Sequence, residues 1–255
     1  MDNLDDLTFL MPLRIDSVTR LENTLAVVDF LLKNFSSEVK ILEASDRNTG
    51  LLQRLLPSVV KYEFVEDLDN IFHRTKYINH LVRSVDTKFV GVWDTDIIVP
   101  AGQVFESYDL MSADLADFVT PFKDKFLDTS TIVRSLYLQT RDIEVLRKSA
   151  GKMKHLYNPN PVGGVFFAQR NKYILTGMEN ENFYGWGRED GDRVNRWKIL
   201  GFKHEHVDGV LYHLSHERGQ NSKFHSPNQD NRKIVEVFKS VVMSKEELRN
   251  EVKKW

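Results

Sequence analysis

Along the first hundred residues, apolar positions switch between short unbroken runs and three-to-four spacing. Leu7 to Pro12 reads as a first buried strand. The stretch from Ser17 to Lys33 follows with Leu21, Leu25, Val28, Leu31 and Leu32 on one helical face, and Ser17 as its N-cap. Val39 to Glu43 is a second strand leading into the polar turn Ala44 to Gly50, and Lys61 to Val65 is a third. A helix over 71–85 precedes Phe89 to Trp93, a continuous apolar run of the kind found in strands covered on both faces. Such alternation predicts βαβ units on a mostly parallel, Rossmann-like sheet, an α/β fold.

The second half is less regular. Residues 103–113 and 129–148 have helical spacing, with Asp117 to Pro121 a strand between them. Asn158-Pro-Asn-Pro161 is a stiff turn opening onto a strand from Val162 to Ala168, whose glycines mark a close approach to the backbone. A short helix over 171–177, a loop able to move over 178–187 and a helix over 189–200 come next. Phe202 to Val207 and Val210 to Leu214 read as a closing hairpin around Asp208-Gly209. The polar stretch 217–231 reads as a disordered loop. Beyond it, 233–255 carries Ile234, Val237, Phe238, Val241 and Val242 along one side of a helix that either docks on the domain or lies in a lipid interface.

Composition narrows the class. With 255 residues, 41% of them hydrophobic, the chain can bury a substantial core. A net charge of −2 provides no basic field for a nucleic-acid partner. Cysteine is absent, which fits a reducing compartment and leaves His, Asp and Glu as the strong metal ligands. The acidic start, Met1 to Asp6, lacks the features of a secretory signal, and no window approaches the roughly 20 apolar residues needed to cross a bilayer. A cytoplasmic protein is expected, at most peripheral on the inner face of the cell membrane.

Five segments carry candidate chemistry. Asp94-Thr-Asp96 sets two carboxylates at the exit of a buried strand, where open α/β sheets collect ligands and where a divalent cation bridges phosphate oxygens. Acids also end strands simply as turn formers. His213-Leu-Ser-His216 brings both imidazoles to one cation only if the chain bends after Leu214, because rings on a straight strand would face opposite sides. With Asp96 as oxygen ligand, two nitrogens favour Mn²⁺ over Mg²⁺. In Tyr184-Gly-Trp-Gly-Arg-Glu-Asp-Gly-Asp192, glycines free the backbone around an indole and deliver adjacent acids to a helix start. An indole face packs on a pyranose while carboxylates accept its hydroxyls, although acids there also complement a helix dipole. Arg14, Arg74 and Lys76 offer positive charge to a diphosphate, or sit in solvent as basic helix residues commonly do.

Taken in order from Pro12 to His216, these segments resemble the β-1,4-galactosyltransferase family, including bacterial glycosyltransferases of the chondroitin-polymerase type. Pro12-Leu-Arg14 is similar to the family's Pro-Phe-Arg, Phe72-His-Arg-Thr-Lys76 to Phe-Asn-Arg-Ala-Lys, and Asp94-Thr-Asp96 to Asp-Val-Asp. Gly163-Gly164 resembles the glycine pair beneath the donor sugar, Tyr184 to Asp190 the Trp-Gly-Trp-Gly-Gly-Glu-Asp run, and His213-x-x-His216 the metal-binding pair. Tyr184, Arg188, Gly191, His73 and Pro161 depart from the family pattern.

The resemblance implies a GT-A glycosyltransferase fold with a small additional hairpin and C-terminal helices, as a single domain over 1–255. Residues 1–100 would bind nucleotide, 101–220 acceptor and metal, and 229–255 form a helical extension. It implies an inverting transferase moving galactose or N-acetylgalactosamine from a UDP-sugar to a glycan or lipid-linked oligosaccharide, in bacterial surface polysaccharide synthesis. Asp190 would be the general base. Pro12, Arg14, Asp46, Phe72, Arg74, Lys76, Asp94, Gly163 and Gly164 would hold the donor, and Tyr184, Trp186 and Glu189 the sugars. Mn²⁺ would sit on Asp96, His213 and His216. Two other readings stand beside it. A sugar nucleotidyltransferase would normally carry a glycine-rich loop after the first strand, and 12–20 has no glycine. An inactive UDP-sugar or glycan-binding subunit would bind UDP without transfer.

Overall fold

A computed structural model describes residues 3–123, 125–157, 161–217, 219, 221 and 227–255. The first half alternates as the pattern predicts: β1 (Asn3–Leu13), α1 (Val18–Asn34), β2 (Ser36–Ser45), α2 (Leu51–Leu55), β3 (Lys61–Glu66), α3 (Arg74–Arg83) and β4 (Phe89–Trp93). The Ser17 side chain caps α1 by accepting from the Arg20 N–H. Next come β5 (Ile97–Ile98), α4 (Ala101–Ser112), β6 (Phe118–Thr120), β7 (Lys125–Asp128), α5 (Thr131–Thr140), α6 (Ile143–Ser149), β8 (Lys154–His155) and β9 (Val165–Gln169). The chain ends with α7 (Arg170–Leu175), α8 (Glu189–Leu200), β10 (His204–His206), β11 (Val210–His213), α9 (Pro227–Val242) and α10 (Lys245–Val252).

Seven strands form the main sheet in the order β10-β6-β9-β4-β1-β2-β3, and four form a smaller one, β5-β11-β7-β8. β1 to β4 are mutually parallel, β9 runs antiparallel between β4 and β6, and β10 adds parallel to β6. Strand alternation splits the apolar residues between two cores. Phe9, Met11 and Trp93 pack with α1 residues such as Val27 and Leu31, whereas Leu10, Val90 and Val92 pack with Ile78, Leu81, Phe166 and Trp197. Gly91 is needed on β4, because a Cβ there would lie 2.8 Å from the Phe167 ring and 3.2 Å from Phe9.

Several expectations change. The helix over 129–148 is two helices, broken where Arg141 takes a left-handed conformation and Asp142 caps α6 by accepting from the Glu144 N–H. The hairpin around Asp208-Gly209 does not form: β10 belongs to the main sheet and β11 to the small one. Gln103 takes the place of a strand partner there, donating to the Val210 carbonyl and accepting from the Val210 N–H. The glycine pair stands just before β9 rather than inside it. α3 is shorter than 71–85, and α2, β5, β7 and β8 have too little apolar pattern of their own to be read. The loop over 178–187 is pinned by buried Glu179, Asn180 and Phe183.

Residues 227–231 of the expected polar loop are helical, while 218, 220, 222–226 and Asn158-Pro-Asn160 of the expected turn lie outside the described residues. The C-terminal segment is two helices, separated at Ser244 by a capping box with Glu247. α9 docks through its polar side. Lys233 and Ser240 are buried against the domain, and Ile234, Phe238, Val241 and Val242 face out. No described helix is long and apolar enough to cross a membrane.

Candidate active site

A cavity of about 580 Å³ opens beyond the carboxyl ends of β1 and β4. The alternation of the sheet dictates that position, since loops leaving parallel strands gather at this edge. Three backbone links assemble its walls. The Asp94 N–H donates to the Gly164 carbonyl over 2.8 Å, tying the acids of β4's exit to the glycine pair. The Leu214 N–H donates to the Asp96 carbonyl over 2.7 Å, and β11 pairs antiparallel with β5, setting His213 beside Ile97. β11 ends at His213, so the chain makes the bend after Leu214 that the two imidazoles require.

The result is one cluster in which donor atoms of Asp96, His213 and His216 all lie within 4.8 Å of one another. Both rings are turned the same way. His213 Nδ1 faces Asp128 Oδ1 at 2.7 Å and His216 Nδ1 faces the Glu217 carbonyl at 2.8 Å. Those partners accept, so each Nδ1 carries the proton and each Nε2 faces Asp96 Oδ2, at 3.7 and 3.1 Å. This donor set fits a divalent cation of the Mn²⁺ type. Burial alone would raise the Asp96 carboxyl, but the His213 and His216 rings outweigh it and hold Asp96 well below the usual carboxylate range. Burial works against charge on His216, yet its bond to Asp96 lifts the ring above the ordinary imidazole value. The carboxylate thus favours a positive partner at this point.

Also lining the cavity, α8 opens with Glu189 and Asp190 in its first turn. Asp190 is within reach of two guanidiniums: Arg193 Nη2 donates to its Oδ1 over 2.8 Å, and Arg74 Nη1 is 3.9 Å away. Arg74 also donates through Nε and Nη2 to Asp94 Oδ1, at 3.0 and 2.6 Å, and so spans the two acidic groups. Burial lifts Asp94 above the ordinary carboxylate value, with Arg74 pulling it down and Asp96 and Asp190 pushing it up. Glu189 is 4% exposed, and its Oε2 has no hydrogen-bond partner among the described residues. Burial, reinforced by the charge of Asp190 and opposed by Arg74, pushes Glu189 up to about 7.

Pro12, Arg14, Phe72, Arg74, Asp94, Asp96, Gly163 and Gly164 all line the cavity. So do Trp186, Glu189, Asp190, His213 and His216. Three expected site residues do not. Asp46 and Lys76 are exposed side chains outside the lining, Asp46 accepting from its neighbour Ser45 and Lys76 lying over the Tyr77 ring. Tyr184 points away to donate to Asp69, and its ring meets His73 edge-on, so it ties the loop before α8 to the loop before α3. Arg14 reaches the rim with its donors committed to Ala44, Asp69 and Asp67. Asp192 bonds Arg196 and Ser240 in the interior.

Residues the sequence did not single out also contribute. Asp128 orients His213 because β7 and β11 pair in the register His213 to Asp128, a long-range match with no local signal. Arg193 stands three residues after Asp190, a helical pair spacing that could have been noticed. Lys233 and Gln229 of α9 donate to the Trp186 and Tyr184 carbonyls, and Arg188 forms a two-pronged ion pair with Asp230.

Comparison with known proteins agrees with this geometry. Residues 142–218 match a family model described as the N-terminal domain of galactosyltransferase, the stretch that holds the glycine pair, the Tyr184 to Asp190 run and both histidines. No curated protein matches the sequence at a significant level. The catalytic domain of Drosophila β1,4-galactosyltransferase 7 in complex with xylobiose superposes with a TM-score of 0.56 at 15% identity, covering 89% of this chain and 79% of that one. A mutant of that enzyme with manganese, UDP-Gal and xylobiose gives 0.57 at 14% identity, over 89% and 78%. Glucosyl-3-phosphoglycerate synthase from Mycobacterium tuberculosis, with Mn²⁺, UDP and phosphoglyceric acid, gives 0.53 at 16% identity, over 92% and 77%.

The molecule therefore has the GT-A glycosyltransferase fold. Within that fold, residues 142–218 are similar to the galactosyltransferase family model, and the whole chain is similar in structure to β1,4-galactosyltransferase 7.

Proposed function

We propose that this protein is an inverting, divalent-metal-dependent transferase that moves a hexose or N-acetylhexosamine from a UDP-sugar to a glycan hydroxyl. The observation that carries this reading is one cavity lined by three side chains able to hold a metal, by a carboxylate at a helix start, and by Arg74 between Asp94 and Asp190. The complexes of structural relatives with UDP-Gal, Mn²⁺ and sugar acceptors support it.

In this reading the donor lies along the glycine pair, which lines the cavity. Trp186 packs on an apolar sugar face and Glu189 accepts a sugar hydroxyl, which would satisfy its unpartnered oxygen. Asp190 takes the proton from the acceptor hydroxyl as that oxygen bonds to the anomeric carbon. The bond from that carbon to UDP breaks on the opposite face, which inverts the configuration. Arg74 keeps Asp94 and Asp190 from repelling one another. A divalent cation held by Asp96, His213 and His216 would supply positive charge to offset that on the diphosphate.

The acceptor in this reading is a glycan or lipid-linked oligosaccharide of a bacterial surface polysaccharide, with galactose or N-acetylgalactosamine as the sugar. The outward apolar face of α9, with Arg232 and Lys239 beside it, supports peripheral contact with an anionic lipid surface. Anionic vesicles are expected to carry the protein on flotation, and Phe238→Asp to abolish that. Flotation that survives the substitution would remove α9 from the contact.

The functional test supplies UDP-galactose or UDP-N-acetylgalactosamine with Mn²⁺ and a panel of glycan acceptors, and reads the product anomer by NMR. Transfer with inversion that stops on chelation is expected. Retention of configuration, or release of pyrophosphate, would contradict the proposal.

A further inference from the structure

One turn along α8 from Asp190, Arg193 is fully buried. Its Nη2 donates to Asp190 Oδ1 over 2.8 Å while its Nη1 donates to Glu179 Oε1 over 2.9 Å. Glu179 is itself fully buried and accepts from the Tyr173 hydroxyl. Its backbone is held on both sides by the Asn79 amide, at 2.9 Å each way. The guanidinium lies 3.9 Å over the ring of Phe166, on the strand that follows the glycine pair. A guanidinium enclosed in this way cannot swing aside without leaving a carboxylate unpaired in the interior, a strongly unfavourable state.

Asp190 is bounded on its other side by Gly163, where a Cβ would lie 2.5 Å from Oδ2. One carboxylate oxygen is thus held from behind by a buried cation, and the other lies against a residue chosen for having no side chain. We infer that Arg193, backed by Glu179 and Tyr173, is a positioning residue that fixes the rotation of the Asp190 carboxyl, so that Oδ2 is the oxygen presented to the acceptor hydroxyl. The inference rests on the general-base reading of Asp190. In the transfer step the acceptor proton passes to Oδ2, and Arg193 keeps all its protons and touches neither sugar. The network shares no residue with the Asp96, His213 and His216 cluster, so its loss leaves those three side chains in place.

The test pairs Arg193→Gln with Glu179→Gln, which removes the buried ion pair without leaving a lone charge. A second variant, Arg193→Lys, keeps the charge and loses the two-pronged geometry. Misplacing a catalytic group by an ångström costs about a hundredfold, so the neutral pair is expected to lower kcat by about ten- to a hundredfold. Its affinity for UDP with Mn²⁺, measured by calorimetry, is expected to stay within about threefold, because only a transition-state interaction has been disturbed. Arg193→Lys is expected to recover part of the lost kcat. In an Asp190→Asn background the neutral pair should cause no further loss, since residues acting as a unit are not additive.

An unchanged kcat in the folded neutral pair, or in Arg193→Lys should the pair not fold, overturns the inference. So does a further loss in the Asp190→Asn background, which would make the network merely structural. An Asp190→Asn enzyme that transfers at full rate overturns the general-base reading itself, and the inference with it.

Discussion

Two acids of one cavity, Asp96 and Asp190, are treated in opposite ways. Asp96 is surrounded by imidazoles, His213 and His216, whereas Asp190 is approached by guanidiniums, Arg193 and Arg74. An imidazole has a lone pair and gives up its proton near neutrality, so a carboxylate between two such rings can exchange protons for a metal ion. A guanidinium has neither a lone pair nor a proton it can lose, so it fixes a carboxylate in place and leaves it a proton acceptor. On the proposed function, the neighbours, more than the acids, decide which acid would bind metal and which would take a proton. Arg74 links Asp190 to Asp94, bonding Asp94 and lying 3.9 Å from Asp190.

That contrast breaks most visibly at the metal side. His216→Ala should weaken Mn²⁺ binding, read by titration, by more than about a hundredfold, because losing a ligand exceeds the ten- to hundredfold loss from disturbing the outer partners that orient one. Affinity near the unsubstituted value would remove His216 from the set. Next in size is Gly163→Ala. The added Cβ would push on Asp190 Oδ2 at 2.5 Å, so kcat should fall about tenfold while Mn²⁺ affinity is unchanged. Equal losses in both would mean that the two acids are not independent.

The smallest effect is a pH dependence of stability. Glu189 is raised to about 7 when folded, from an ordinary value of 4.5. Over that window the native state binds the extra proton, so this group's contribution to stability falls as pH rises from about 4.5 to about 7. Thermal unfolding of Glu189→Gln across the window should lack that component. A curve parallel to that of the unsubstituted protein would contradict the burial of an ionisable carboxyl there.

The regular first half was legible because its information is local. Continuous apolar runs gave β1, β2, β3 and β4, and helical spacing with a serine cap gave α1. The exit of β4 followed directly, and with it Asp94 and Asp96. Motif likeness located Trp186, Glu189, Asp190 and the two histidines, which do line one cavity. What escaped is long-range. Asp128 reaches His213 through strand register, Glu179 reaches Arg193 from the loop before α8, and Gln103 occupies the edge where Asp208-Gly209 predicts a hairpin. Tyr184 and Lys76 sit inside the family-like motifs yet turn outward, since a motif fixes the path of the backbone and not the direction of every side chain along it. The apolar side of the C-terminal helix was visible, but Lys233 and Ser240, not that side, find partners on the domain.

The central claim is the division of labour between the two acids, and it is tested most directly by measuring sugar transfer and Mn²⁺–UDP binding on one preparation of Asp190→Asn. The account predicts that transfer falls by about a hundred- to ten-thousandfold, the usual contribution of a general base, while binding of Mn²⁺ and UDP is retained. Transfer at the unsubstituted rate, or loss of metal and nucleotide binding together with activity, would contradict it.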